Sequence, residues 1–301
     1  MMKIGFSSLV APGWNLNTLV TKAAEFGFDG IELRGLRGEL HLPMIPELTS
    51  DPKGVRKMLA DQQIELVCLG SSVTLDSKDR RVVNRKKEEL TEFIELAAQL
   101  GCPFVRMFTG EVQRFDNLQA TQGRIAEALA SVVPLAARYD VTVLVENGSD
   151  FPGSEALWFL IDAVDHPSVK CCWSQCHAMT TGERPTNSIP RLGSKIEMVH
   201  ICDAAFDPSG VLTEYTPLGE GNVEIARQIE LLKGLASDKY LMFEWPKMWV
   251  DSLPNADVAL PAVASYLRAH IDEKQPILSA YKGDKNAPRM RTREPISNAS
   301  N

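Results

Sequence analysis

The stretch Val141-Thr-Val-Leu-Val-Glu146-Asn147 decides how the fold is read. β-branched and apolar residues run without a break and stop at a carboxylate. That is the pattern of a strand buried on both faces which ends where the chain meets water. A helical segment follows at Ser154–Ala163, and a second buried run comes at Val169–Trp173. Strand, helix, strand at this spacing is a crossover unit that pairs its two strands in parallel.

The unit repeats in both directions. Upstream, strands are predicted at Lys3–Leu9, Gly30–Leu33, Ile64–Leu69 and Pro103–Phe108, with helices at Leu16–Phe26, Pro52–Gln62, Val83–Leu100 and Leu118–Tyr139. Downstream, strands are predicted at Lys195–Cys202 and Tyr240–Phe243, with helices near Thr186–Leu192 and at Val223–Leu235 and Ala256–His270. Asn15 or Asn17 can cap the first helix, Asp51 before Pro52 starts the second, and Gly101 ends the Val83–Leu100 helix. Eight strands alternating with eight helices predict an α/β fold, a closed (β/α)8 or TIM barrel. The competing open, doubly wound sheet would carry GxGxxG after its first strand, and none is present. The barrel is expected to occupy residues 1–272 as a single domain. Residues 273–301 carry prolines, basic residues and a Ser/Asn end, and are expected to form a flexible tail or an arm on another copy of the chain.

Bulk properties narrow the class. The chain has 301 residues, 44% hydrophobic and 24% charged, which is globular and large enough for a full core. A net charge of −7 argues against a nucleic-acid surface. No run reaches the length of a membrane span, and the N-terminus has no signal-peptide core. A soluble cytoplasmic protein without a membrane partner is expected, with self-association into a homo-oligomer left open. Cys68, Cys102, Cys171, Cys172, Cys176 and Cys202 show no zinc-ribbon spacing and read as small buried residues in a reducing compartment.

In such barrels the chemistry sits where strands end. Strand two ends in Glu32-Leu-Arg34, strand four carries Arg106, strand five ends in Glu146, strand seven carries His200 and strand eight ends in Glu244. A charge at the end of a buried strand is costly unless paired or bound to a cation. Glu146, His200 and Glu244 together therefore suggest a divalent-metal site, with salt bridges to Arg34, Arg106 or Lys247 as the plainer reading. Glu146 and Glu244 also suit proton transfer next to a carbonyl, through an enediolate, with one carboxylate on each face. Arg34 and Arg106 are candidate substrate contacts. Trp245 can stack on a sugar or pack at the rim. Lys247 can meet a substrate oxygen or carboxylate, or stand in solvent. Glu220, inside Leu218-Gly-Glu-Gly221, lies in a tight turn that allows close backbone approach to a ligand.

These strand ends resemble the xylose isomerase-like barrel superfamily, the sugar phosphate isomerase/epimerase group. The resemblance spans about residues 3–270. It is carried by Gly30-Ile-Glu-Leu-Arg34, Val145-Glu146, the segment ending in His177, Val199-His200-Ile-Cys-Asp203, Leu218-Gly-Glu-Gly221 and Phe243-Glu244-Trp245. It implies a metal, manganese or magnesium ahead of zinc, held by Glu146, His200, Glu244 and the position of Ser174, with Glu146 and Glu244 as the acid/base pair and His177 binding substrate. Ser174 stands where the resemblance implies an aspartate, so the site loses a charge and a strong bond, and a chain with no metal at all is the alternative. Gly148 is a second departure, at a position where related sequences often carry a polar side chain. The expected activity is isomerisation or epimerisation of a small keto-sugar or polyol derivative. Two alternatives stay open: elimination from a keto-sugar or keto-glycoside by a lyase or dehydratase, and a non-catalytic sugar- or partner-binding barrel. Repair of abasic DNA, which in this superfamily uses a histidine-rich multi-zinc cluster, does not suit a chain with five histidines.

Overall fold

Barrel closure depends on two glycines. Strand β1 (Lys3–Ser7) pairs in parallel with β2 (Gly30–Leu33), and Gly5 faces Gly30 in register. A Cβ on Gly5 would lie 2.7 Å from Met242 Cε, and one on Gly30 would lie 2.6 Å from Val67 Cγ2. No other residue fits where these strands cross the filled interior. The computed structural model describes residues 2–235 and 238–272.

The remaining strands are β3 (Glu65–Gly70), β4 (Phe104–Phe108), β5 (Thr142–Glu146), β6 (Val169–Ser174), β7 (Ile196–Ile201), β8 (Asp203–Phe206), β9 (Leu212–Thr216) and β10 (Tyr240–Phe243). Strands β1 to β7 and β10 form the closed barrel, in the order β1-β10-β7-β6-β5-β4-β3-β2. The predicted fold is therefore present, with every barrel pairing parallel. The proposed tail, 273–301, lies outside the described residues. Among the described residues, no helix is long and apolar enough to cross a membrane.

Several boundaries differ from the sequence reading, each for a local reason. Asn15, not Asn17, caps the first helix, its Oδ1 accepting from Thr18 N at 2.9 Å. The single helix expected over Leu118–Tyr139 is two, Leu118–Ala130 and Val133–Arg138, because Pro134 starts a new helix and cannot continue an old one. The first strand stops at Ser7 and turns into a short 3₁₀ segment, Ser8–Val10. The β8–β9 hairpin is an addition. Its outer strand, Leu-Thr-Glu-Tyr-Thr, is largely solvent-facing and offers no buried run to detect.

The interior is filled from below. Val67, Cys68, Leu144, Cys172, Met198, Tyr240 and Met242 pack inside the barrel, while a much larger apolar layer lies between strands and helices. All six cysteines are free, and all but Cys202 are buried.

Asp203 explains the Leu218-Gly-Glu-Gly221 motif. It is buried, and its Oδ1 accepts from the backbone N–H of Ala204 and Val223 while Oδ2 accepts from Gly219 and Gly221, at 2.8–3.1 Å. The turn is thus wrapped around one carboxylate, and a Cβ on Gly221 would lie 2.2 Å from Asp203 Oδ1. Asp203→Asn would aim an amide N–H₂ at backbone donors. It is expected to lower unfolding free energy by about 2–4 kcal/mol in denaturant titration.

Candidate active site

Above the apolar plug the inward positions turn polar. Glu32, Arg106, Glu146 and His200 are each no more than 2% exposed. His200 is the centre. Its Nδ1 lies 2.9 Å from Glu146 Oε1 and 3.3 Å from Glu244 Oε2, and its Nε2 lies 3.3 Å from Glu32 Oε2. Carboxylates from within β2, from the end of β5 and from just beyond β10 thus converge on one imidazole from β7. Arg106 closes the far side, with Nε 3.0 Å from Glu146 Oε2 and Nη1 donating to Ser71 O at 2.7 Å.

Electrostatics follow from this crowding. Burial alone would raise Glu146, but His200 and Arg106 outweigh it and bring the carboxyl down to about 2. Glu32 is lowered in the same way, burial being overcome by His200 and Arg106. Glu244 goes the other way. Burial raises it, and His200 does not offset the added repulsion from Glu146 and Glu32. Burial disfavours charge on His200, yet Glu146, Glu244 and Glu32 together hold it well above its ordinary value.

The cluster fits a divalent cation. Glu32 Oε1 and Oε2, Glu146 Oε2 and His200 Nε2 are buried without a well-formed hydrogen bond, which is rare for polar atoms unless an ion or water meets them. Two overlapping groups of ligand atoms lie within 4.8 Å of one another: Glu146, Cys172 and His200, and Glu32, His200 and Glu244. Glu146 and Glu244 both reach His200 Nδ1, though they fall in different groups. Burial pushes the Cys172 thiol up to about 12, so the carboxylates are the better donors. Glu32 Oε2 lies 3.3 Å from the opposite nitrogen without a well-formed hydrogen bond, where carboxylates stand behind metal-bound histidines. Glu32 was not assigned a role from sequence, although a carboxylate inside the buried strand Gly30–Leu33 is the signal that could have found it.

Ser174 and Asn147 shape the next part of the rim. Ser174 pairs in register with His200, so its side chain stands beside the imidazole on the inner face. Its Oγ accepts from His177 N at 3.4 Å as cap of the short helix Gln175–Met179. Asn147 ties β5 to β6: Nδ2 donates to Ser174 O at 2.9 Å and Oδ1 accepts from Ser174 N at 2.8 Å. His177 lies at the open edge, 39% exposed, with Nδ1 2.7 Å from Asn147 O and 3.8 Å from Glu146 Oε1. A Cβ on Gly148 would lie 3.3 Å from that ring, so the small residue leaves space that His177 fills.

Arg34 also reaches the site, its Nη2 donating to Ser72 Oγ at 2.9 Å. Three predicted contacts do not gather here. Trp245 alternates outward from Glu244 and packs edge-on against Phe243 at 5.5 Å. With Glu220 it lines a separate cleft of about 260 Å³ between the turn after β9 and the Ala256–Asp272 helix. Lys247 Nζ donates to Asp251 O at 2.6 Å.

Residues 20–270 match the family described as xylose isomerase-like TIM barrel. The chain belongs to that family. An uncharacterized protein of Methanocaldococcus jannaschii is 25% identical over 256 residues, 81% of this chain and 83% of that protein. Among solved structures, the chain is similar in fold to the zinc-bound IolI protein (TM-score 0.79, 18% identity, 92% of this chain and 100% of that one). It is similar also to the probable 3-DHS dehydratase AsbF of Bacillus anthracis (0.73, 21%, 88% and 98%). An L-ribulose 3-epimerase structure aligns comparably (0.72, 19%, 90% and 95%).

Ser174→Asp keeps a good helix cap and adds a carboxylate beside His200. Isothermal titration with Mn²⁺ is expected to show affinity raised roughly tenfold or more over the parent chain, the scale on which groups around a metal site act.

Proposed function

We propose that the chain is an isomerase or epimerase that moves a proton next to the carbonyl of a small keto-sugar or polyol derivative. The observation that carries this reading is the meeting of Glu146 and Glu244, from strands on either side of β7, at one nitrogen of His200 in the barrel mouth. Two carboxylates placed there can take a proton from one carbon and return it, through an enediolate. Glu146, His200 and Glu244 would hold a divalent ion, manganese or magnesium ahead of zinc. Such an ion supplies Lewis-acid polarisation of the carbonyl when bound.

The chain's own groups do the rest. His200 and Arg106 keep Glu146 ionised and fixed, with Oε1 on the imidazole and Oε2 facing the guanidinium. Glu32 faces the imidazole from behind at 3.3 Å. His177, near Glu146 and open to solvent, can contact a substrate hydroxyl. The same position favours a second reading, elimination, in which proton abstraction is followed by loss of a hydroxyl that His177 protonates.

The test is proton exchange. With Mn²⁺ present, a panel of ketoses and hydroxy-keto acids in D₂O is followed by proton NMR. Deuterium is expected at the carbon beside the carbonyl of at least one compound, with Glu146→Gln and Glu244→Gln each slowing exchange by about 10²–10⁴. An unsaturated product would select elimination. No exchange on any compound, or exchange untouched by both substitutions, would contradict proton transfer by these glutamates.

A further inference from the structure

We propose that the substrate is an anion whose carboxylate or phosphate seats against Arg34 and Arg106, an inference that rests on the proton-transfer reading and narrows it to acidic hydroxy-carbonyl compounds. The two guanidinium groups come from neighbouring parts of the mouth, Arg34 just beyond β2 and Arg106 within β4. They are 5% and 0% exposed. Both lie over the same Phe108 ring, at 5.9 and 4.0 Å from its centroid.

Each keeps a donor in reserve. Arg106 donates Nη1 to Ser71 O, its Nε lies 3.0 Å from Glu146 Oε2 without a well-formed hydrogen bond, and its Nη2 has no hydrogen-bond partner. Arg34 spends Nη2 on Ser72 Oγ, and its Nη1 has no partner. A buried guanidinium N–H without an acceptor is expensive, and two on guanidiniums that share one ring point to an acceptor that arrives from outside. Strand β3 makes the room. A Cβ on Gly70 would lie 2.8 Å from Arg34 Cδ and 3.0 Å from both Arg106 Nη2 and Glu32 Oε1.

A counter-ion role accounts for Arg106 but not for Arg34. Arg106 is paired with Glu146, whereas no carboxylate lies within 4.0 Å of Arg34 among the described residues. A neutral sugar hydroxyl offers these N–H groups a single weak acceptor, whereas a carboxylate or phosphate offers paired charged oxygens, and the fork geometry of arginine matches either.

The probes are three related ketoses, D-fructose, D-fructuronate and D-fructose 6-phosphate, titrated calorimetrically into the full chain loaded with Mn²⁺. One of the acidic pair is expected to bind at least about 30-fold tighter than D-fructose, the gain of a charge-assisted contact. Fructuronate would identify a carboxylate site and the 6-phosphate a phosphate site. Arg34→Met is expected to bring the two affinities within about threefold, and Arg34→Lys to recover part of the gap because it restores the charge without the fork. Should Arg34→Met not fold, Ser72→Ala, which frees the Nη2 anchor, supplies the comparison and is expected to narrow the gap. Equal affinities, no binding of either acid, or a preference that survives both Arg34→Met and Ser72→Ala would overturn the proposal. Binding is read without turnover, so a failure of proton exchange and a failure of anion preference are separate results.

Discussion

The site depends on burying one imidazole among three carboxylates. Each charge is costly in a barrel mouth closed from below by Met198, Met242, Cys172 and Leu144. The arrangement holds because the strands leave these side chains no alternative. His200 is fixed by its pairing between β6 and β10, and Glu32 enters from within β2, Glu146 from the end of β5 and Glu244 from just beyond β10. Removing the imidazole would leave the buried carboxylates uncompensated, a loss of about 3–5 kcal/mol as for a broken buried pair. The same crowding leaves Glu32 Oε1 and Oε2 and Glu146 Oε2 buried without a hydrogen-bond partner.

Much of the polar chemistry around the cluster positions rather than reacts. Asn147 locks β6 to β5 beyond the backbone ladder, which fixes Ser174 beside His200. Asp203 gathers four backbone N–H groups and thereby shapes the turn whose glycines looked ligand-directed in the sequence. Ser174 has two calls on it, as cap of the helix carrying His177 and as the inward residue next to the imidazole. An aspartate would serve both. Serine keeps the cap and gives up the negative charge, which shifts the local balance toward the arginines.

The barrel was legible because buried parallel strands are continuous apolar runs and the crossover helices have ordinary caps and stops. Glu146, His200 and Glu244 were legible because a charge that ends such a run is conspicuous. The limits are equally physical. Glu32 lies inside its strand rather than at a conspicuous end, and sequence does not say which nitrogen of a distant histidine it faces. Trp245 follows Glu244 directly, and strand alternation turns adjacent residues to opposite faces, so the neighbour of a site residue points away. Lys247 is spent on a carbonyl four residues on, a contact with no pattern to read. The hairpin Asp203–Thr216 is too exposed to announce itself by hydrophobicity.

The central claim is that Glu146, His200 and Glu244 form a divalent-metal centre despite serine at position 174. Elemental analysis of chain purified without chelator from manganese-supplemented cells tests it most directly, with a folded His200→Ala chain alongside. The account predicts about one divalent ion per parent chain and a small fraction of that in the variant, the loss expected when a ligand is removed. A parent chain that carries no more metal than His200→Ala would contradict it.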